Sequence, residues 1–178
     1  MIVYRHVDSR FPFLLEDGRD QPESRWALGG QEPVHAFADT PDGAWAELLR
    51  HEEIRDPEDL AGIERDLWAV ELGEPPVARV KLPARVLTGG VDTYPACRSA
   101  ARRLGGRGER GFVAPSAALR PGGAAGYRVD GGTRVGDERD GLVIVLVGRR
   151  PDLVGWRAAR RGRPGGDVLR KVKHLDAV

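Results

Sequence analysis

Hydrophobic and polar positions along the chain predict short strands mixed with a few helices. The segment from Ile2 to Val7 is largely apolar and typical of a strand, and Pro33 to Ala38 is a second strand candidate. Gly111 to Ala114 is a short buried strand candidate. The run from Leu142 to Val147 is apolar at every position, which indicates a strand inside a sheet. This mixture is typical of an α+β domain.

Two further segments have the two-residue period of strands. These are Leu67 to Leu72 and Val77 to Leu82, and the turn residues Gly73-Glu74-Pro75-Pro76 join them. We therefore expect an antiparallel hairpin. Residues 120–141 are rich in glycine and arginine, which predicts an extended loop or an irregular hairpin.

Helix boundaries are marked by capping residues and by the helical period. Thr40 can cap a first helix, and Pro41 suits its first turn. Its expected buried face consists of Ala44, Trp45, Leu48 and Leu49. A second helix begins at Thr93-Tyr94-Pro95 and ends at Gly105-Gly106. Its expected buried residues are Cys97, Ala100, Ala101 and Leu104. After Pro151 we expect a basic tail with a short helix near residues 167–174.

Length and composition narrow the classes of protein. At 178 residues the chain fits one domain spanning residues 1–178, and its formal charge of +1 gives no overall field that favours nucleic acid. The single cysteine excludes an intramolecular disulfide, and the four histidines lack metal-ligand spacing, so no metal site is expected. No apolar run approaches the roughly 20 residues that span a bilayer. Charged residues follow the N-terminus too soon for a signal peptide. We expect a soluble cytoplasmic protein.

Glu47 is the most informative position in the first predicted helix. It lies at the edge of the buried face, on one stripe with Ala44, His51 and Ile54. A carboxylate there would point along a seam between core and solvent, as in the wall of a cleft. The alternative is a solvated glutamate that pairs with Arg50 or His51 at helical spacing.

Four features, in this order, resemble the RES-domain family, which is named for an arginine, a glutamate and a serine. An early strand carries an arginine, and an Arg-Trp pair follows 20 residues later. A helix then carries Ala-x-x-Glu and ends near a histidine, and a Pro-Ser pair follows a later short strand. In this chain these features are Arg5, Arg25-Trp26, Ala44-Trp45-Ala46-Glu47 with His51, and Pro115-Ser116.

The resemblance implies a fold like that of ADP-ribosyltransferases, with a mixed, mainly antiparallel sheet and a few helices. It also implies that Arg5, Arg25, Glu47 and Ser116 converge on one pocket, which takes NAD+ as a substrate and needs no separate cofactor. Arg25 and Glu47 would be catalytic, and Arg5 and Ser116 would bind the substrate. Many family members are toxins that a helix-turn-helix antitoxin neutralises. Such an antitoxin and a second copy of the chain are therefore candidate partners, and no membrane partner is expected.

The chemistry of NAD+ cleavage fits these residue types. Departure of nicotinamide gives an oxocarbenium-like transition state, in which positive charge grows on the ribose. A fixed carboxylate such as Glu47 stabilises that charge, and guanidinium groups such as those of Arg5 and Arg25 match phosphate oxygens bidentately. Ser116 would hydrogen-bond the ribose or a phosphate. The acceptor stays open among water, inorganic phosphate and a protein side chain.

The chain departs from the family pattern at two positions. Members usually carry a tyrosine 11 residues before the glutamate, where this chain has Ala36, and the asparagine often found after the serine has no clear counterpart. Three functions therefore stay open: an NAD+ glycohydrolase or phosphorylase, a RES-fold protein that binds a nucleotide or partner without turnover, and an ADP-ribosyltransferase acting on a protein. A nucleic-acid-binding role of the basic tail ranks last because no recognisable motif accompanies it.

Overall fold

The structure, a computed structural model, describes residues 1–15, 21–30 and 32–175. Its strands are β1 (Ile2–Val7), β2 (Val34–Ala38), β3 (Arg65–Glu71), β4 (Gly111–Pro115), β5 (Tyr127–Val129), β6 (Thr133–Val135), β7 (Leu142–Val147) and β8 (Val154–Gly162). Its helices are α1 (Pro41–His51), α2 (Ala84–Leu87), α3 (Tyr94–Gly105) and α4 (Gly166–Lys171), with 3-10 turns at Pro57–Gly62 and Val91–Thr93.

The six longer strands form one sheet in the order β4-β7-β2-β1-β3-β8, and β5 pairs with β6 in a separate ribbon. Every pairing between neighbouring strands is antiparallel. β7 lies inside the sheet, between β4 and β2, as its apolar run predicts. The predicted α+β class with a mainly antiparallel sheet is therefore confirmed.

The sheet is divided at its centre. β1 pairs with β2 through one residue pair, Tyr4 opposite Ala38. In contrast, β1 pairs with β3 along all of Ile2–Val7, and β2 pairs with β7 along all of Val34–Ala38. Beyond Tyr4 and Ala38 the two central strands therefore separate and leave a gap between them.

Helix α1 begins as the sequence predicts. The Thr40 hydroxyl accepts a hydrogen bond from the Gly43 amide at 3.0 Å, and Pro41 occupies the first turn. The helix packs against β1. The predicted apolar face is buried in the core at Ala44, Trp45, Leu48 and Leu49. This packing fixes Glu47, on the same helix, beside the gap between the central strands.

Helix α3 covers the same face of the sheet over β4 and β7. Three of its four predicted core residues are buried and the fourth, Leu104, is partly buried, in a cluster that includes Cys97, Ala100, Ala101, Phe112, Val143 and Val145. The opposite face of the sheet has its own buried cluster, which includes Val3, Phe37, Val70, Ile144 and Leu146. The central strands are therefore packed on both faces.

The predicted hairpin between residues 67–72 and 77–82 is wrong. Both sides of β3 are occupied, by β1 and by β8. Residues 78–80 run instead along the outer side of β4, where the Val113 amide donates to the Ala78 carbonyl at 2.8 Å and the Val80 amide donates to the Val113 carbonyl at 3.4 Å. Residues 120–141 contain the ribbon of β5 and β6, which confirms the irregular hairpin.

The predicted basic tail contains a strand that the sequence pattern did not reveal. β8 has nine residues, most of them exposed, so its side chains do not alternate between buried and solvated positions. Its arginines instead pair with acidic residues on or beside β3, Arg157 with Asp66 and Arg161 with Glu64, each at 3.0 Å. The expected short helix follows as α4.

Within the described ranges, no helix combines the length and the apolar character needed to cross a membrane. In the same part of the chain, no group of three or more His, Cys, Asp or Glu side chains is arranged to hold a metal ion.

Candidate active site

A cavity of about 480 Å³ opens where β1 and β2 separate. Its walls come from both central strands, from α1, from residues 21–26 and from the start of α3. Side chains from both faces of the sheet reach it, because the central strands are not paired beyond Tyr4 and Ala38. Its volume lies in the range of small-molecule sites.

The four predicted site residues come together here from four separate segments. Arg5, Arg25 and Glu47 line the cavity. Ser116 is buried between two lining residues, and its Oγ lies 3.4 Å from Oε1 of Glu47. Their chemical roles stay predictions, and the contacts of each residue bear on them differently.

Glu47 is half-buried at the cavity wall. Burial raises the pKa of its carboxyl above the ordinary value, while the charges of Arg25 and Arg50, the Ser116 hydrogen bond and the charge of His51 act in the opposite direction. The ionised form of Glu47 therefore depends on these positive neighbours, which offset the loss of hydration.

The Ser116 hydroxyl is held by the turn that follows β4. Its Oγ accepts hydrogen bonds from the amides of Ala118 and Leu119, each at 3.2 Å. The Ser116 amide donates to the Gly141 carbonyl at 2.8 Å. With its acceptor positions used in this way, the hydroxyl is free to donate its proton to Glu47. At 3.4 Å this contact is long for a hydrogen bond between oxygens, and it places one carboxylate oxygen next to the Ser116 hydroxyl.

Arg25 is 8% exposed, and its guanidinium is bound by the protein itself. Nη1 donates to the Val86 carbonyl at 3.3 Å and to the Thr93 hydroxyl at 3.2 Å, and Nη2 donates to the Gly89 carbonyl at 2.7 Å. The ring centroid of Tyr94 lies 4.7 Å from Cζ. These contacts hold residues 86–94 against the cavity, so most of the hydrogen-bonding capacity of Arg25 is already used.

A third arginine, Arg50, lines the cavity and was not among the predicted site residues. It is 5% exposed. Its Nη2 donates to the same Gly89 carbonyl at 2.9 Å, and its Nη1 donates to the Lys173 carbonyl. Only glycine fits at position 89, because a Cβ there would lie 2.5 Å from Cγ2 of Thr93 and 2.7 Å from the Arg85 carbonyl oxygen.

Arg5 has the opposite pattern. It lines the cavity from β1, and its Nη1 is buried with no hydrogen-bond partner among the described residues. Its Cζ lies 6.0 Å from the ring centroid of Phe37. Burial lowers the pKa of Arg5 to about 10, so the side chain is still positively charged at neutral pH. A buried guanidinium that lacks an acceptor is a strong candidate for binding an anion.

Two histidines share this shortage of partners. Nδ1 of His6 and Nδ1 of His35 are buried with no hydrogen-bond partner in the part of the chain that the structure describes. Burial, reinforced by the charge of Arg5, lowers the pKa of His6 to about 3 and that of His35 to about 4. Both rings are therefore neutral at pH 7, and Arg5 is the charged group of this cluster.

Ala36, at the position where the family carries tyrosine, is exposed and lines the cavity. Its neighbour Phe37 is 2% exposed and belongs to the core on the opposite face of the sheet. Aromatic side chains reach the cavity from other segments, namely Tyr4, Trp26 and Tyr94. The cavity therefore has aromatic walls, although none of them comes from position 36.

Sequence reasoning missed Arg50 and Tyr94. Arg50 follows Glu47 by three residues on α1, a spacing that the sequence shows, but its position next to an apolar face did not reveal that the guanidinium is buried. Tyr94 opens α3 and is brought to the cavity by Arg25, which lies 68 residues away along the chain from its partner Thr93. No local pattern in the sequence marks that contact.

No protein-family model and no curated protein matches the sequence. Among solved structures, the fold is similar to that of a chain in the crystal structure of the M. tuberculosis MbcT–MbcA toxin–antitoxin complex, with a TM-score of 0.53 and 16% sequence identity. The similarity covers 87% of this chain and 83% of that chain. At this level of identity it shows a shared fold.

Proposed function

We propose that this protein is an NAD+-cleaving enzyme of the RES type, which breaks the bond between nicotinamide and ribose. The observation that carries the proposal is the placement of Glu47. Its carboxylate lies at the wall of a cavity of about 480 Å³, contacts the Ser116 hydroxyl at 3.4 Å, and shares the cavity with Arg5, whose Nη1 is buried without a hydrogen-bond partner among the described residues. The order of motifs in the sequence supports the same assignment.

In this proposal Glu47 stabilises the positive charge that develops on the ribose as nicotinamide leaves. A carboxylate that is already oriented does this without reorganisation at the moment of reaction. Its partly buried position strengthens the interaction, because the surroundings screen charge less than water does. The reaction needs the ionised carboxylate, so the rate should fall as the pH drops through the raised pKa of Glu47.

The arginines divide the remaining work. Arg5, whose Nη1 has no acceptor among the described residues, binds the pyrophosphate. Arg25 and Arg50 act as positioning residues: they hold the Gly89 carbonyl from two sides, and their charges favour the ionised form of Glu47. This proposal gives Arg25 an indirect part in catalysis, because its hydrogen bonds to Val86, Gly89 and Thr93 leave it few donors for a ligand.

A role as a cytoplasmic toxin with an antitoxin partner belongs to the same proposal. The fold similarity to a chain from a toxin–antitoxin complex supports it, together with the resemblance to a family in which many members are toxins. The acceptor of the ADP-ribosyl group is water, phosphate or a protein side chain. The second candidate is a protein that binds NAD+ without turnover, and the small side chain of Ala36 in the cavity wall favours it.

The deciding experiment incubates the purified protein with NAD+ and follows nicotinamide release, with and without inorganic phosphate, for the wild type and for Glu47→Gln. The substitution keeps the shape and removes the charge, so turnover should fall roughly a hundredfold or more, the scale of losing one preorganised electrostatic contact. Glu52→Gln, at an exposed position just after α1, is the matched control and should leave turnover unchanged.

A stability measurement separates lost chemistry from lost folding. A carboxyl whose pKa is raised in the folded state destabilises the fold once the pH exceeds that pKa. Glu47→Gln should therefore unfold at the same or a higher temperature than the wild type at pH 7.5. Unchanged turnover in Glu47→Gln would show that the charge of Glu47 takes no part in the reaction. Calorimetric binding of NAD+ without nicotinamide release would establish the second candidate, and release that requires added protein would identify a transferase.

A further inference from the structure

The two edge strands of the six-stranded sheet differ in whether their outer side is hydrogen-bonded. The outer side of β4 is covered by residues 78–80 through backbone hydrogen bonds. β8, at the other end, is paired on one side with β3. Among the residues that the structure describes, no strand pairs with its outer side. A nine-residue strand with an open side presents unpaired amides and carbonyls, to which another strand can add.

The open edge carries exposed apolar side chains, Val154 and Trp156, on one face of β8. Strand register places Ile2, Glu71 and Val154 in one row across the sheet, and Tyr4, Ala69 and Trp156 in the next. Ile2, Val154 and Trp156 are 42%, 54% and 52% exposed. Opposite residues in an antiparallel pair point to the same face, so these side chains share one face, with the exposed Glu71 between Ile2 and Val154 and with Val154 and Trp156 as the apolar neighbours on β8 itself. An added strand could therefore pack on these apolar side chains and hydrogen-bond to the backbone of β8.

The positive charge of β8 favours an acidic partner. Residues 154–163 contain four arginines and no acidic residue. Arg157 and Arg161 are paired with Asp66 and Glu64, and Arg163 donates to the Ala61 carbonyl at 3.5 Å, whereas Arg160 makes no ion pair within the described ranges. Pairing of β8 with β8 of a second copy would set arginines against arginines, which is unfavourable. An acidic strand would meet them with opposite charge.

We propose that β8 is a docking edge for an extended acidic segment of a partner protein, which adds to the sheet as a further strand. The segment alternates acidic side chains, which face the arginines, with apolar side chains, which pack on the surface around Val154 and Trp156. The partner's backbone supplies the missing hydrogen bonds. This docking edge lies on the far side of β3 from the cavity, and the proposal is independent of any activity on NAD+.

The test uses a fluorescein-labelled nine-residue peptide of alternating glutamate and valine, measured by fluorescence anisotropy against the full chain. A peptide with lysine in place of glutamate is the charge control. Arg160→Glu should weaken binding of the acidic peptide roughly tenfold, because it puts like charges together. Arg103→Glu, a charge reversal at an exposed position on α3, should leave binding unchanged.

Amide hydrogen exchange shows where the peptide binds. Strand addition predicts that the acidic peptide slows exchange in residues 154–162, and that methylating alternate peptide amides abolishes binding.

The proposal would be overturned if the lysine peptide bound equally well, if both arginine reversals weakened binding equally, or if residues outside β8 were protected. It would also be overturned by a dimer in sedimentation that Trp156→Ser dissociates. A DNA duplex that binds more tightly than the peptide, and is lost in Arg160→Glu, would assign the edge to nucleic acid instead.

Discussion

Two walls of the cavity carry arginines, and these arginines differ in their hydrogen bonding. On the wall formed by α1 and residues 86–94, the guanidinium groups of Arg25 and Arg50 donate to backbone carbonyls and share the Gly89 oxygen. On the wall formed by β1, the Arg5 guanidinium keeps one nitrogen buried without a partner among the described residues. On the first wall the arginines have protein acceptors, whereas on the second wall a donor of Arg5 is left for a ligand.

The difference distinguishes arginines that hold the site together from an arginine that is available to bind a ligand. Burying a charged group without a hydrogen-bond partner is unfavourable, whereas satisfied guanidinium groups bind neighbouring segments together. The first wall should therefore govern stability, and the second should govern affinity. Each of the following substitutions tests one side of that division.

Arg25→Met should have the largest effect on stability. It leaves the Gly89 and Val86 carbonyls and the Thr93 hydroxyl without their donor, and we expect a loss of about 3 kcal/mol in the free energy of unfolding. Urea unfolding followed by circular dichroism measures it, and Arg103→Met, at an exposed position, should change it little. An unfolding free energy equal to that of the wild type would show that Arg25 is not a framework residue.

Arg5→Met should act on binding instead. If Arg5 binds the pyrophosphate as proposed, loss of its charge should raise the Kd for NAD+ about tenfold or more, the effect of one charge-assisted hydrogen bond. The free energy of unfolding should stay the same or increase, because the substitution removes a buried charge whose Nη1 has no hydrogen-bond partner among the described residues. Calorimetric titration and urea unfolding give the two values. A strong loss of stability with unchanged affinity would reverse the assignments of the two walls.

Ala36→Tyr tests a third part of the cavity, the wall that β2 forms. A tyrosine there would add an aromatic surface to the cavity beside β2, and we expect a gain of about 1 kcal/mol in binding or positioning of the substrate. Nicotinamide release should then be about fivefold faster. A slower rate in the variant would mean that the cavity has adapted to the small side chain, and activity seen only in the variant would mark the natural protein as a binder.

The smallest effect should appear in the titration of His35. Its pKa, lowered to about 4 by burial and by the charge of Arg5, should rise when an anion neutralises that charge or when Arg5→Met removes it. His174 is the internal control, because burial and Arg55, not Arg5, are the leading causes of its lowered pKa. Nuclear magnetic resonance of the histidine rings, with and without bound ADP-ribose, measures both. An unchanged pKa of His35 would place the anion away from Arg5.

The parts of the fold that bury one face were predictable from the sequence. α1 and α3 follow the helical period, and β7 follows from its continuous apolar run, because burial dictates residue type at those positions. The paired residues 77–82 and β8 were not predictable. Residues 78–80 alternate like a strand but bind the edge of β4, and β8 is exposed, so burial leaves no pattern in its sequence.

The candidate site was predictable in its members and not in their contacts. The order of motifs named Arg5, Arg25, Glu47 and Ser116, and the fold places all four at one cavity or directly beside it. The sequence gives no means of distinguishing an arginine bound to carbonyls from one without a partner. That distinction depends on residues 86–94, which are distant from Arg25 along the chain.

The single residue pair between β1 and β2 has a mechanical consequence. Three strands lie on each side of it, so the sheet consists of two plates joined along a seam by Tyr4 and Ala38. Backbone hydrogen bonds join the strands within each plate, whereas between the plates the connection is mainly side-chain packing, with Val3 and Phe37 in one buried cluster. The cavity lies at this seam, with Arg5 on one plate and Ala36 on the other. A ligand that contacts both would therefore add contacts between the plates at the place where backbone pairing is missing.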